Sequence, residues 1–130
     1  MEPAIRDRLL PAFRDDARRV RVRIATAVAA EPINALDLDD ARRDVHGLKG
    51  AAGVLGLPGA VALCRSIERV LQTLGPSREA VPPDLRAALD EAAGSVVAVA
   101  ATADDPDAAS VGRDVAELER LVPLPGARRG

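Results

Sequence analysis

Apolar residues recur along this chain in steps of three and four, the spacing that lines one face of an α-helix. Phe13, Ala17, Val20, Ile24 and Ala27 form the first such stripe. They predict a helix over residues 11–30, with Pro11 in its opening turn, where a missing N–H breaks no intrahelical bond. The preceding PAIRDRLL is expected to form a short N-terminal helix of its own. Leu38, Ala41, Val45, Leu48, Ala52 and Leu55 set a second long helix, with Asp37 as its N-cap and Gly56 near its C-terminal end. Leu57, Ala60, Cys64, Ile67, Leu71 and Leu74 set a third, whose Pro58 is tolerable because it falls in the first turn. Beyond the Gly- and Pro-rich GPSREAVPPD, a fourth follows on Leu85, Leu89, Ala92, Val96, Val99 and Ala103. Val111, Val115, Leu118 and Val122 allow one further short helix, and PLPGARRG reads as a frayed end.

Four helices of similar length with short connections predict an all-α, antiparallel four-helix bundle over residues 1–104. Residues 105–130 are then a C-terminal extension with a possible extra helix. Composition supports this. With Phe13 as the one aromatic residue, the core must be built from Ala, Val, Leu and Ile, which suits closely packed helices better than a sheet. A chain of 130 residues holds one such core and has no room for an ATP-binding kinase module beside it.

Charge narrows the function. The net charge of −2 provides no field for nucleic acid, and the lack of aromatics removes stacking platforms. The arginine-rich RDDARRVRVR reads as the solvated face of a helix. Cys64, the single cysteine, has no internal disulfide partner and reads as a small core residue. No long apolar signal region opens the chain, and its most apolar run, SVVAVAATA, is far too short to span a membrane. A cytoplasmic monomer is expected.

One stretch departs from ordinary helix composition. DVHGLKGAAGVLG, residues 44–56, has glycines at 47, 50, 53 and 56, together with the chain's single histidine, His46, and its single lysine, Lys49. Each interior glycine costs about 0.8–1.0 kcal/mol against alanine. At about 100° per residue, His46 lies roughly 130° from the centre of the apolar stripe, so the imidazole is expected to face outward or lie at the bundle's edge. Lys49, Gly50 and Gly53 follow it by three, four and seven residues and share its face. The glycines thus clear a bare patch on which another molecule's backbone can approach the ring.

The second and third helices meet near residue 57, so positions equally far before and after it lie level. His46 is then level with Glu68, and Lys49 with Arg65. A carboxylate that holds one ring N–H leaves the other nitrogen as nucleophile, while nearby cations attract phosphate. This is the chemistry of phosphoryl transfer. The phosphate-loop pattern G-x-x-x-x-G-K-[ST] is absent, and a single histidine with a single cysteine offers no metal-ligand set.

HGLKGAAGVLG resembles the signature of the histidine-containing phosphotransfer (HPt) domains of two-component phosphorelays, His-x-x-Lys-Gly followed by small residues and a further Gly. The resemblance continues through ALCRSIERVL, with Glu68 where the family has Glu or Gln near the histidine, and covers about residues 8–104. It implies a four-helix bundle that takes a phosphoryl group on His46 from an aspartyl phosphate or a kinase and passes it to a receiver aspartate. Lys49 and Glu68 would tune that chemistry, and Gly50, Gly53, Arg65 and Arg42 would dock the partner. Expected partners are a response-regulator receiver domain and a sensor or hybrid histidine kinase. No cofactor is expected in this chain, the Mg2+ belonging to the receiver's acidic pocket. Gly47 stands where the family often has a polar residue. The alternative is a helical bundle that binds a signalling partner without being phosphorylated. A kinase dimerisation domain fits less well, because it expects an acidic residue directly after the histidine and a proline soon afterwards.

Overall fold

The computed structural model describes residues 2–75, 79–105 and 107–122. Among them every regular element is helical: α1 (Pro3–Ala29), α2 (Ala35–Val54), α3 (Pro58–Leu74), α4 (Pro83–Thr102) and α5 (Ala108–Leu121). Helices α1 to α4 form a closed ring in which each packs on the helices before and after it, and α1 also meets α4. This is the antiparallel four-helix bundle that the periodicity predicts. Helix α5 lies outside the ring against α3 and α4, and its Leu118 is fully buried in the common core. The stripe residues Phe13, Ile24, Leu38, Val45, Ile67 and Leu89 are all buried. PLPGARRG, expected to fray, lies outside the described residues.

Two helix starts differ from the sequence reading. PAIRDRLL is continuous with the first helix, so Pro11 sits inside α1 and not in its opening turn. Pro11 is exposed, so water can serve the carbonyl that its missing N–H leaves free. The turns on either side of it are held from outside the helix: Arg6 donates to the Ala103 carbonyl at 3.2 Å and Arg14 to that of Ala100 at 3.3 Å. These bonds also satisfy the end of α4, where Ala103 takes a left-handed φ of 59°.

The second correction concerns the start of α2. Its N-cap is Asn34, not Asp37: the Asn34 side chain accepts from the backbone N–H groups of Leu36 and Asp37, at 2.9 and 3.3 Å. Asp37 lies within the first turn. At the other end, Leu57 N–H donates to Ala52 O and Gly56 N–H to Gly53 O, a Schellman closure that needs the left-handed φ of +73° at Gly56. The chain then turns directly into α3, which carries Pro at its first position. This short reversal fixes the level of each α2 residue against α3.

Candidate functional site

His46 projects from α2 between the buried Val45 and Leu48, with 66% of its side chain exposed. Facing it from α3, Glu68 is 14% exposed and spends both carboxylate oxygens on the site. Oε2 is 2.7 Å from His46 Nδ1, and Oε1 accepts from Lys49 Nζ at 2.6 Å. Counting outward from residue 57 therefore places the carboxylate correctly. Burial acts to raise the Glu68 pKa and is its largest single influence, but hydrogen bonds from Lys49 and His46 outweigh it and hold the group below the ordinary glutamate value. An ionised Glu68 can only accept, so Nδ1 carries a hydrogen, and in the neutral ring the lone pair lies on the exposed Nε2.

Lys49 and Arg65 do not form the pair of free cations that their common level suggests. The Lys49 ammonium turns inward to Glu68, leaving 23% of its side chain exposed. A partly sheltered charge finds more stabilisation in a short charge-assisted contact than in water alone. Arg65 is exposed on α3, three residues before Glu68, and makes no ion pair among the described residues. Arg42, one turn before His46, is clamped by Asp39, with Nε at 3.2 Å and Nη2 at 2.8 Å. Asp39 also reaches Arg43 at 3.0 Å. Sequence reasoning missed Asp39, although its three- and four-residue spacing to these arginines is visible.

The surface around the glycines is open. A Cβ added at Gly47 or Gly50 would meet nothing within 4 Å, and one at Gly53 would only touch Val61 Cγ2 at 4.0 Å. Their absent side chains therefore make no room for internal packing at Gly47 or Gly50. The patch runs on to Val54, which is 59% exposed at the end of α2. Val54 and the half-buried Val61 extend the smooth surface beyond the residues singled out from sequence; an apolar residue off the α2 stripe was the available signal. Cys64 lies beneath the site, fully buried, with its thiol pushed up to about 12 by desolvation. It is a core residue, as expected.

The family model of the Hpt domain matches residues 8–122 of this sequence. The chain belongs to the Hpt domain family. As a member it is a phosphotransfer module of two-component signalling. The Hpt match extends beyond residue 104 and takes in α5. No curated protein and no solved structure matches the chain. Among the described residues no helix is long and apolar enough to cross a membrane.

Proposed function

We propose that this Hpt domain carries a phosphoryl group on His46 Nε2, taking it from the aspartyl phosphate of a receiver domain or from a histidine kinase and delivering it to a receiver aspartate. The observation that carries the reading is the Glu68 carboxylate 2.7 Å from Nδ1 behind a ring that is 66% exposed. In the acceptor step the Nε2 lone pair attacks phosphorus. A P–N bond forms as the P–O bond to the donor aspartate breaks, and the bonding pair leaves with the carboxylate. Nδ1 keeps its hydrogen throughout, so the ring becomes imidazolium-like and its charge is offset by Glu68. Transfer onward is the same step reversed on another aspartate.

Lys49 acts in two ways in this scheme: its contact keeps Glu68 ionised and aimed, and its charge lies within one turn of the incoming phosphate. Arg65, exposed and without an ion pair among the described residues, attracts an acidic partner site, while Arg42 stays held by Asp39 one turn before the ring and the glycine strip lets the partner's backbone approach. The divalent ion belongs to the partner's acidic pocket. The test is incubation with a phosphorylated receiver domain and with labelled ATP alone. The expected result is one acid-labile, base-stable label on the wild type from the receiver, none from ATP, and none on His46→Gln. Label persisting on His46→Gln would refute the assignment; absence of label on the wild type with every donor tried leaves the module as a binding partner only.

A further inference from the structure

The surface around His46 differs along α2. Toward the start of the helix stand Asp39, Arg42 and Arg43, where one carboxylate serves both guanidinium groups, at 2.8 and 3.0 Å. Toward the end charge disappears: the chain has no charged residue from Gly50 through Cys64. Gly50 and Gly53 leave open backbone there, and the side chain that follows them is Val54, 59% exposed. Val54 comes seven residues after Gly47 and four after Gly50, so it shares the exposed row beside the ring. Eight residues at about 1.5 Å each set it about 12 Å from His46 along the helix. Across the turn, Val61 of α3 lies against Gly53, whose added Cβ would meet Val61 Cγ2 at 4.0 Å. We infer that Val54, with Val61 at its side, is the specificity-determining anchor for the receiver domain, and that it takes an apolar receiver side chain about 12 Å from the aspartate that exchanges the phosphoryl group.

The occupant follows from continuity with the site. This inference deepens the function proposed above and rests on its docking of a receiver over His46. A receiver whose aspartate reaches Nε2 lies over the glycines, since nothing projects from them to hold it off, and its surface then continues onto Val54. The other large apolar side chains exposed on the bundle lack that continuity. Leu36, 76% exposed, stands ten residues before His46 with Asp39, Arg42 and Arg43 between, and Val22, 65% exposed, is on α1.

Elimination assigns the selectivity to the same place. His46, Glu68 and Lys49 perform chemistry that is common to every receiver, and the glycines have no side chains with which to discriminate. Arg42 and Arg43 share Asp39, so their charge is partly offset before a partner arrives. Arg65 is exposed and makes no ion pair among the described residues, but a single cation answers to the acidic pocket that all receivers have, and so strengthens every complex alike. Burying an apolar side chain is different: its worth depends on whether the partner has a matching one at that spot. Val54 is free to do this, because most of its surface is left in water by the fold.

The test titrates the full chain with a panel of receiver domains in Mg2+ and beryllofluoride, which stands in for the aspartyl phosphate and cannot be transferred, so that affinity is read apart from chemistry. Val54→Thr keeps the shape and removes the apolar character; for the receiver that binds tightest, Kd is expected to rise about three- to tenfold. The ratio should persist at high salt, whereas the loss on Arg65→Ala should fade. Val54→Ile should bind within about twofold of wild type and Val22→Thr, the control on α1, the same as wild type. Across the panel Val54→Thr should narrow the spread of affinities, while Arg65→Ala lowers all of them. In transfer from the phosphorylated receiver, Val54→Thr should raise KM by the same factor and keep kcat, and circular dichroism checks folding. Unchanged affinity in Val54→Thr with normal labelling of His46 would overturn this inference and leave the phosphoryl reading standing. Affinity that depends on Val54 with no label on His46 would do the reverse. Failure of every receiver to bind wild type up to about 1 mM would remove the receiver as the occupant.

Discussion

At Glu68 one side chain joins the two halves of the site, and in the proposed transfer it sets the reactivity of the ring. Its two oxygens are divided between His46 and Lys49, so Glu68→Ala removes the charge-assisted bond that selects the Nδ1–H tautomer. Such bonds are worth about 1.5–3 kcal/mol, and transfer should therefore slow by about ten- to a hundredfold without being abolished. Quench-flow measurement of phosphoryl transfer checks this, and an unchanged rate would remove Glu68 from the mechanism. Lys49→Ala should cost less, because His46 still holds the carboxylate. The pH dependence has a definite sign. The folded pKa of Glu68 lies below the ordinary 4.5, so its ionisation stabilises the fold fully above that value, and the contribution is lost as pH falls through the lowered folded value. The stability gap between wild type and Glu68→Gln should thus be constant at neutral pH and shrink below pH 4.5, read by thermal melts against pH. The residue-level pairing of His46 with Glu68 was legible because a turn centred near residue 57 makes level positions countable. The direction of Lys49 was not, since a four-carbon stem reaches several partners and only the packed structure shows which charge is nearest.

Among the helices, α2 shows what periodicity can and cannot resolve. The buried stripe begins at Leu38, which made Asp37 the natural cap. The helix actually starts at Ala35 on an Asn34 cap, since Ala35 and Leu36 are exposed and add a first turn that leaves no mark in a stripe of buried positions. The exposed face is better determined. Gly50 points into open space, so Gly50→Leu should raise or preserve the melting temperature, contributing up to about 0.8 kcal/mol by helix propensity. The same side chain one turn from His46 would hold a receiver's aspartate away from Nε2, where an error of about 1 Å matters. Melting and transfer on one preparation check both halves: normal transfer, or failure through unfolding, would mean that the strip is not a docking surface. Nothing in periodicity points to the contact that holds the start of α3. The Asp105 carboxylate, from the α4–α5 loop, accepts from the N–H groups of Gly59 and Ala60 at 2.7 and 3.1 Å, capping a helix that has no side-chain cap of its own. Asp105→Ala should destabilise the chain by about 0.5–2 kcal/mol, measurable as a lower melting temperature.

In the whole molecule, α5 is the element whose place the stripe left most open, because four residues at helical spacing predict a helix but not the surface it covers. The structure seats it on α3 and α4, with Val111 and Leu118 inside the core. Ser95 of α4 donates to Asp114 of α5 at 2.9 Å. Leu118 is 0% exposed, so Leu118→Ala removes a fully buried side chain and should destabilise by about 2–5 kcal/mol, depending on how far α3 and α4 close on the gap. The effect on function should be separable. His46 and Glu68 are held by the contact between α2 and α3 and by the short turn that joins them, on helices whose mutual packing does not pass through α5. A folded Leu118→Ala chain, assayed well below its reduced melting temperature, should therefore transfer phosphate at close to the wild-type rate. Chemical denaturation gives the stability loss, and transfer kinetics on the same sample give the rate. A large stability loss with the rate kept means that α5 braces the bundle from outside the His46–Glu68 pair. A rate that falls while the protein is still fully folded would mean that α5 sets the position of α3, and with it the distance from Glu68 to the ring.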